Sequence, residues 1–359
     1  MRALISDCII CICFLFGLFL PNKVYGKYGI SKNIDMMRKS IFAALLAMGA
    51  ALHTTVEAQE KAVLSAQVYG YQQEMVYFDC LQTPLIAAEF HTNPGEEHLY
   101  SFECEGLMCL TINGRTTVML LPGDSLHVEM NYEGKNAKVD YSGTERAVHN
   151  NRLLKSIDNL KRSMRYRSDL LGCVVLDIKP KARIDDARTL MEKATALIEK
   201  SQASEEAKNY ARAIIDYDVY MSFIEYPVMY ESTRGLSLAE QEIGDYWSIA
   251  DGYTPRSDAA ALRCPEYASL LMRYCFYQNE KAAKAKGEQY AMPTKMEDMY
   301  KELADCYEGD LRDYVLYTLL RNFIMNGKEI ERADALYKDY IEKYNTSTFH
   351  KGILEMLLQ

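Results

Sequence analysis

The chain has 359 residues, 49% of them hydrophobic and 25% charged, with ten cysteines and a formal net charge of −9. Residues 1–58 carry six basic and three acidic side chains, so the remainder holds 35 basic and 47 acidic groups, a net of −12. Such a chain lacks the counterion-releasing basic face that nucleic-acid binding needs, which excludes that class of partner and leaves solubility as the sufficient reading of the charge.

Two apolar runs open the chain. Cys8 to Leu20 lies behind Arg2 and ends at Pro21. The simpler reading is that translation starts at Met36 or Met37 and that residues 1–35 are a mis-assigned upstream extension; a longer leader or a membrane-associated hairpin is the rival. Residues 36–58 have the three parts of a secretory signal: Arg38 and Lys39, the run Ile41 to Leu52, then Val56-Glu57-Ala58. The run is too short to span a bilayer as a helix, so cleavage is expected, with no stable transmembrane anchor in the mature chain. The protein is then exported, and periplasmic or envelope-associated in a Gram-negative bacterium.

Roughly 300 residues follow, more than one hydrophobic core usually serves, and composition divides them. Residues 59–146 are rich in Val, Thr, Tyr, Gly and Pro; residues 147–359 are rich in Ala, Leu, Glu, Lys and Met. In the first part, β-prone stretches 63–69, 75–80, 85–91 and 99–104 are broken by Gly70, Pro84 and Asn93-Pro94-Gly95. Stretches 107–112 and 116–121 flank Asn113-Gly114, a strong hairpin signal because both central residues take positive φ. After Pro122-Gly123-Asp124 comes 125–132. The expected arrangement is a meander of antiparallel strands.

Beyond Tyr141-Ser142-Gly143 the apolar period becomes helical. Val148, Leu153, Leu154, Ile157, Leu160 and Met164 form one stripe, and Ile184, Ala187, Leu190, Met191, Ala194, Leu197 and Ile198 another. Ser237-Leu238-Ala239-Glu240 and Thr294-Lys295-Met296-Glu297 have capping-box spacing and are expected to open helices. Pro265 suits a first turn ahead of Leu270, Leu271, Tyr274 and Cys275. Two amphipathic helices follow, on Leu311, Val315, Leu319, Leu320, Phe323 and on Ala333, Leu336, Tyr337, Tyr340, Ile341, Tyr344, then a short segment from Phe349 to Leu358. No 34-residue period persists, which disfavours a repeat array.

Seven cysteines follow the leader, an odd number, and none forms a Cys-x-x-Cys. The one formal match, Cys8 to Cys11, falls inside the first apolar run. Cys104 and Cys109 can face each other across a hairpin as a disulfide, stand as ordinary half-buried thiols, or form a redox-active pair. With His91 and His98 they make a Cys/His group without the tight spacing zinc requires, so no metal or other cofactor is expected. There is no glycine-rich phosphate loop, His-Glu-x-x-His or nucleophile elbow. No catalytic residue is assigned, and the expectation is a protein that is not an enzyme.

Three residues are candidate ligand contacts against a stronger structural reading. Asp124 belongs to a turn in which its carboxylate can bond the local backbone. Tyr217 and Tyr220 stand among Tyr210, Tyr226, Tyr230, Asp216, Asp218, Glu225 and Glu231, a set that suits a sugar or cation cleft, although tyrosines at helical spacing usually pack the ring and leave the hydroxyl wet.

The order Val68-Tyr69-Gly70, Leu120-Leu121-Pro122-Gly123-Asp124-Ser125-Leu126, Tyr141-Ser142-Gly143 and then Asn150 or Asn151 at the opening of a helix resembles the N-terminal region of TlpA-like envelope thiol-disulfide oxidoreductases. The resemblance implies an α+β protein: an antiparallel β-sandwich-like domain followed by an all-α helical domain. In that family the reductase chemistry belongs to a following thioredoxin-like domain with Trp-Cys-x-x-Cys. Trp247, the single tryptophan, precedes Ser248, so no catalytic residue transfers. The resemblance implies a non-catalytic accessory or protein-interaction module, whose partner is an envelope protein such as a thioredoxin-like one. A truncated or remnant thiol-disulfide reductase and a glycan-binding protein are the alternatives.

Overall fold

The computed structural model describes residues 61–359, except 84–86, 92–94, 114–115, 135, 165–178, 242, 245 and 328–329. The expected leader segments 1–35 and 36–58, and with them Cys173, Pro84, Asn93, Pro94 and Gly114, lie outside the described residues. Gln59–Gln359 group as one compact unit of mixed α and β structure.

Eight strands are described. β1 (Lys61–Tyr69), β4 (His98–Glu103), β7 (Ser125–Glu133) and β8 (Asn136–Gly143) form one sheet in the order β4-β1-β7-β8. β2 (Met75–Cys80), β3 (Ala87–His91), β5 (Met108–Ile112) and β6 (Thr116–Leu120) form a second, ordered β3-β2-β5-β6. Period-2 alternation explains which side chains turn inward. Leu64, Ala66 and Val68 from β1, Val76 and Phe78 from β2, and Leu126, Val128 and Met130 from β7 enter one apolar cluster shared by both sheets.

The meander is not purely antiparallel. β1 pairs antiparallel with β4 but parallel with β7, with Leu64 opposite both Tyr100 and Leu126. Alternation decides which face of a strand is buried; it does not decide its neighbour, and a parallel pair requires a long excursion between its members. Here the excursion is the entire second sheet together with β4. β8 is an additional strand beyond the expected β-prone stretches. It is an edge strand with a polar start, and its central Val139 is buried among the cluster residues.

Two glycines of the resemblance motifs are explained at the ends of β7. A Cβ on Gly70, at φ +69°, would lie 2.6 Å from the Tyr132 carbonyl oxygen; one on Gly143, at φ +133°, would lie 2.1 Å from that of Ser125. Both are close backbone approaches that only glycine permits.

The helices are α1 (Glu145–Ser163), α2 (Pro180–Lys200), α3 (Glu205–Asp216), α4 (Ser222–Arg234), α5 (Pro265–Ala285), α6 (Met296–Cys306), α7 (Gly309–Met325), α8 (Ile330–Lys343) and α9 (Thr348–Leu357). A π-helical turn, Tyr217–Met221, joins α3 to α4. The expected stripes supply the core: Leu153, Leu154 and Ile157 of α1, Ala187, Leu190, Ala194 and Ile198 of α2, and Leu270, Leu271 and Cys275 of α5 are buried. Leu197 departs from its stripe and is partly exposed.

Neither capping box opens a helix as spaced. Glu240 accepts from the Ser237 N–H at 2.8 Å and hydroxyl at 2.6 Å, but only a turn follows. At α6 the N-cap is Lys295, and Glu297 is drawn away to Arg332.

In the second sheet, β5 and β6 are apolar on both faces. Leu110 and Ile112 point toward the first sheet, whereas Leu107, Cys109, Met119 and Leu121 enter the helical core. Two buried amides fasten this contact. Asn151 of α1 bonds both the N–H and the carbonyl of Met119 on edge strand β6, each at 2.8 Å, as a neighbouring strand would. Gln82 accepts from the Cys109 N–H at 2.7 Å and donates to the Arg263 carbonyl at 2.8 Å. The helical side thereby satisfies backbone groups that burial would otherwise leave unpaired.

Candidate functional site

Two clefts border the second sheet. The first is polar, about 340 Å³, and lies where the β5–β6 ladder meets its hairpin, with Thr116 and Thr117 of β6 and Val139 and Tyr141 of β8 along one wall. Opposite, α1 presents Leu154, Lys155, Asp158, Lys161 and Arg162, one face of the helix by their spacing. The π turn adds Tyr217 and Asp218. An extra residue in a helical turn swings successive side chains out of the regular period, and π turns recur at functional sites for that reason.

The charges in this cleft are held by one another. Asp218 is 1% exposed, and its carboxylate lies 2.5 Å from the Lys161 ammonium. Arg162 pairs with Asp158 at 2.8 Å. Lys155 donates to the Val139 carbonyl and lies 5.7 Å from the centre of the Tyr141 ring. Burial, then the negative charges of Asp158 and Asp140, push the Tyr141 hydroxyl up to about 12. Tyr141 therefore stays neutral and can donate or accept a hydrogen bond at the wall.

The second cleft is apolar, about 330 Å³, between residues 103–108 and α9. Leu107, Met108, Phe349, Ile353 and Met356 line it, with the Arg263 guanidinium among them. Arg263 stacks 4.2 Å over Phe349 and makes no ion pair among the described residues. Desolvation pulls its pKa down, the signature of a cation removed from water without full compensation. Cys80 and Cys104 also line this pocket.

The α9 wall of the pocket is anchored by a buried polar cluster. Asp313 of α7 accepts from the Tyr340 hydroxyl at 2.6 Å and from Asn345 and the Thr346 N–H at 3.0 Å each, and lies 2.5 Å from His350 Nδ1. Burial opposes ionisation of Asp313, but the bonds from His350, Tyr340 and Thr346 outweigh it and hold the carboxyl below its ordinary range. The His350 ring stacks on Tyr317 at 4.0 Å, and Tyr317 donates to the Gln82 carbonyl at 3.3 Å. The anchor thus reaches the sheet.

The three sequence candidates do not converge. Tyr217 lines the polar cleft. Tyr220, one helical turn away, stacks on Tyr253 at 4.2 Å, and burial raises its pKa. Asp124 is buried in its turn, accepting from the Leu121 N–H at 2.9 Å and from Arg146 Nε at 2.8 Å. The remaining tyrosines and acids of that set are also spread around the helices: Tyr210 is fully buried against Cys109, Tyr226 lies under Arg183, Asp216 pairs with Arg256 at 2.6 Å and Glu225 with Arg273.

The cross-strand Cys104–Cys109 disulfide is not formed; both are free thiols. The Cys104 thiol donates to the Gly106 carbonyl at 2.7 Å, while Cys109 points through the other face of β5 into the helical core. Cys104 follows β4 of the first sheet and Cys109 lies in β5 of the second, so no hairpin joins them and they enter different apolar clusters. Among the described residues no three His, Cys, Asp or Glu gather as a metal site, and no helix is long and apolar enough to cross a membrane.

Sequence reading did not single out Gln82, Lys161, Arg263, Asp313 or His350, which carry these clefts. Their partners are distant in the chain: Asp313 and His350 are 37 residues apart and Gln82 and Arg263 are 181 apart. Set against known proteins, the chain matches no family model, no curated protein and no solved structure.

Proposed function

We propose that this chain is an exported envelope protein that binds a partner protein without transforming it, and that the apolar pocket beside α9 is its docking site. The leader pattern of residues 36–58 supports export, and the order of the Gly70, Asp124 and Gly143 motifs supports an accessory module like that in front of thioredoxin-like domains. The inner apolar cluster shared by two four-stranded sheets supports reading residues 59–146 as β-sandwich-like, with the helical part following.

The observation that carries the docking reading is Arg263 in its pocket. A guanidinium half-buried among Leu107, Met108, Phe349 and Ile353, with Glu105 near enough to act on it but no ion pair made among the described residues, complements a partner segment that brings an apolar side chain beside a carboxylate. Selection from a displayed random-peptide library tests this. The expected winners carry an apolar residue next to Asp, Glu or a free C-terminus, and lose binding at least about tenfold to Arg263→Gln, the size of one charge-assisted hydrogen bond. Winners without a carboxylate, or winners indifferent to Arg263→Gln, refute it.

The polar cleft favours a second reading. Tyr141 and Tyr217 beside Asp158, Asn159 and Lys155 suit the apolar faces and hydroxyls of a glycan. A glycan array read with wild type and Tyr217→Ala decides it: a binder lost in the variant supports glycan binding, and an array with no binder removes it.

A further inference from the structure

A third, small cavity of about 20 Å³ lies where α7, α9 and the turn before α5 meet, with Arg263, Tyr314, Tyr317, Thr318, Arg321 and His350 in its lining. It shares Arg263 and Phe349 with the apolar pocket, whereas Arg321 lines the small cavity and not that pocket. No Asp or Glu lines it among the described residues. Arg321 is held from two sides: its Nη1 donates to the Gln82 carbonyl at 3.5 Å, and its guanidinium carbon lies 5.7 Å from the centre of the Tyr317 ring. Its Nε–H is buried and finds no hydrogen-bond partner among the described residues. Neither Arg321 nor Arg263 makes an ion pair among them.

The neighbouring groups that could supply a negative charge do not. Burial, the largest cause, raises the pKa of the Tyr317 hydroxyl and of the Cys80 thiol, so both stay neutral although both guanidiniums act on them. The Asp313 carboxylate is already taken by His350 Nδ1, the Tyr340 hydroxyl, the Asn345 amide and the Thr346 N–H. Glu105 acts on Arg263 from the apolar pocket, where it is a lining residue, and not from the small cavity. Two like charges bordering one cavity, one of them with a buried N–H unpaired, cost free energy that an anion between them would offset. The volume restricts that anion. A water needs roughly 10–15 Å³, so the cavity takes one particle of about that size and excludes phosphate, sulfate or a metabolite carboxylate.

We propose that Arg263 and Arg321 hold one chloride ion in this cavity as their shared counter-ion. A monatomic anion accepts N–H donors from any direction, so it can take the Arg321 Nε–H and the Arg263 guanidinium together. A water of similar size brings no charge to set against theirs. The ion ties Arg321, which donates to the Gln82 carbonyl, to Arg263, whose own carbonyl accepts from the Gln82 amide at 2.8 Å. Chloride is then a structural ligand of the seam between the helices and the residues that follow β2. The seat shares Arg263 with the docking pocket but needs no partner protein, and Arg321 lies outside that pocket, so either reading can fail without the other.

The test is thermal unfolding of the full chain in sodium gluconate, whose anion is too large for the cavity, with chloride substituted for gluconate at constant ionic strength. The wild-type midpoint should rise by about 3 °C once chloride exceeds its dissociation constant about tenfold, and then level off. Arg321→Gln, which removes the charge and keeps a hydrogen-bonding side chain, should abolish that chloride dependence. A second measurement needs no variant: in wild-type crystals grown in sodium bromide, anomalous diffraction should place a bromide between Arg263 and Arg321. The proposal is overturned if chloride and gluconate give the same wild-type midpoint, if Arg321→Gln retains the chloride-dependent rise, or if the cavity shows no bromide peak.

Discussion

The two clefts touch the same four-stranded sheet and are built from opposite materials. At the hairpin end of the β5–β6 ladder, charges pair at the polar cleft: Lys161 with Asp218 across it, and Arg162 with Asp158 along α1. At the other end, beside Met108, the pocket is mostly apolar, and its half-buried Arg263 makes no ion pair among the described residues although Glu103 and Glu105 also line it. A cleft whose charges satisfy one another is held rigid and must be wetted or hydrogen-bonded to bind. A pocket that leaves a guanidinium short of a partner has affinity in reserve for an anion. The contrast teaches where self-sufficiency ends in this molecule, and it can be broken from either side.

The largest effect is expected at the polar cleft. Lys161→Met leaves the Asp218 carboxylate, 1% exposed, without its cation, which should cost about 3 kcal/mol of stability by the usual penalty for an orphaned buried charge. Adding Asp218→Leu to the same chain should restore most of it, measured by urea unfolding of both variants. If the single variant unfolds at the wild-type midpoint, the ion pair does not organise this cleft.

Next come the amides that hold sheet to helix at each end. Asn151→Leu strips the Met119 N–H and carbonyl of their partners beside the polar cleft, and Gln82→Leu does the same to the Cys109 N–H beside the apolar pocket. Each should cost about 2 kcal/mol, the desolvation penalty of one or two unpaired buried backbone groups. Hydrogen exchange should localise the loss, at β6 for Asn151→Leu and at β5 for Gln82→Leu. Protection lost equally at both strands would mean that the two ends are not separate fastenings.

The smallest effect is a pH dependence confined to the apolar pocket. Because the folded-state pKa of Asp313 is depressed, its stabilisation is fully present above the unfolded carboxyl value, about 4, and is lost as pH falls through the lower folded value. Wild type should therefore exceed Asp313→Asn in thermal stability at neutral pH, and the gap should narrow in acid below about pH 4. A gap that stays constant or widens in acid would show that the Asp313–His350 contact does not anchor α9.

Much of the local structure was legible without coordinates. The strands at 75–80 and 116–120, the Asn113 turn with its positive φ, Pro265 at the first turn of α5 and the Ala187-Leu190-Ala194-Ile198 stripe all follow from short-range rules of backbone sterics and side-chain period. The site was less so. Tyr217 was reachable, since a tyrosine-and-acid cluster at helical spacing drew attention to it; Tyr220 beside it was drawn away into packing by Tyr253 because the π turn separates their directions. Arg263 gave no signal, for nothing nearby in sequence shows that its carboxylate is missing.

The sequence by itself determined period and punctuation: where several strands end and where the helical period takes over, because those are properties of a few adjacent residues. Tertiary structure alone decided that β1 runs parallel to β7, that Cys104 and Cys109 enter different apolar clusters, and that Gly70 and Gly143 meet distant carbonyls. These depend on which surfaces pack together, a choice made by the whole apolar pattern at once and carried by no local motif.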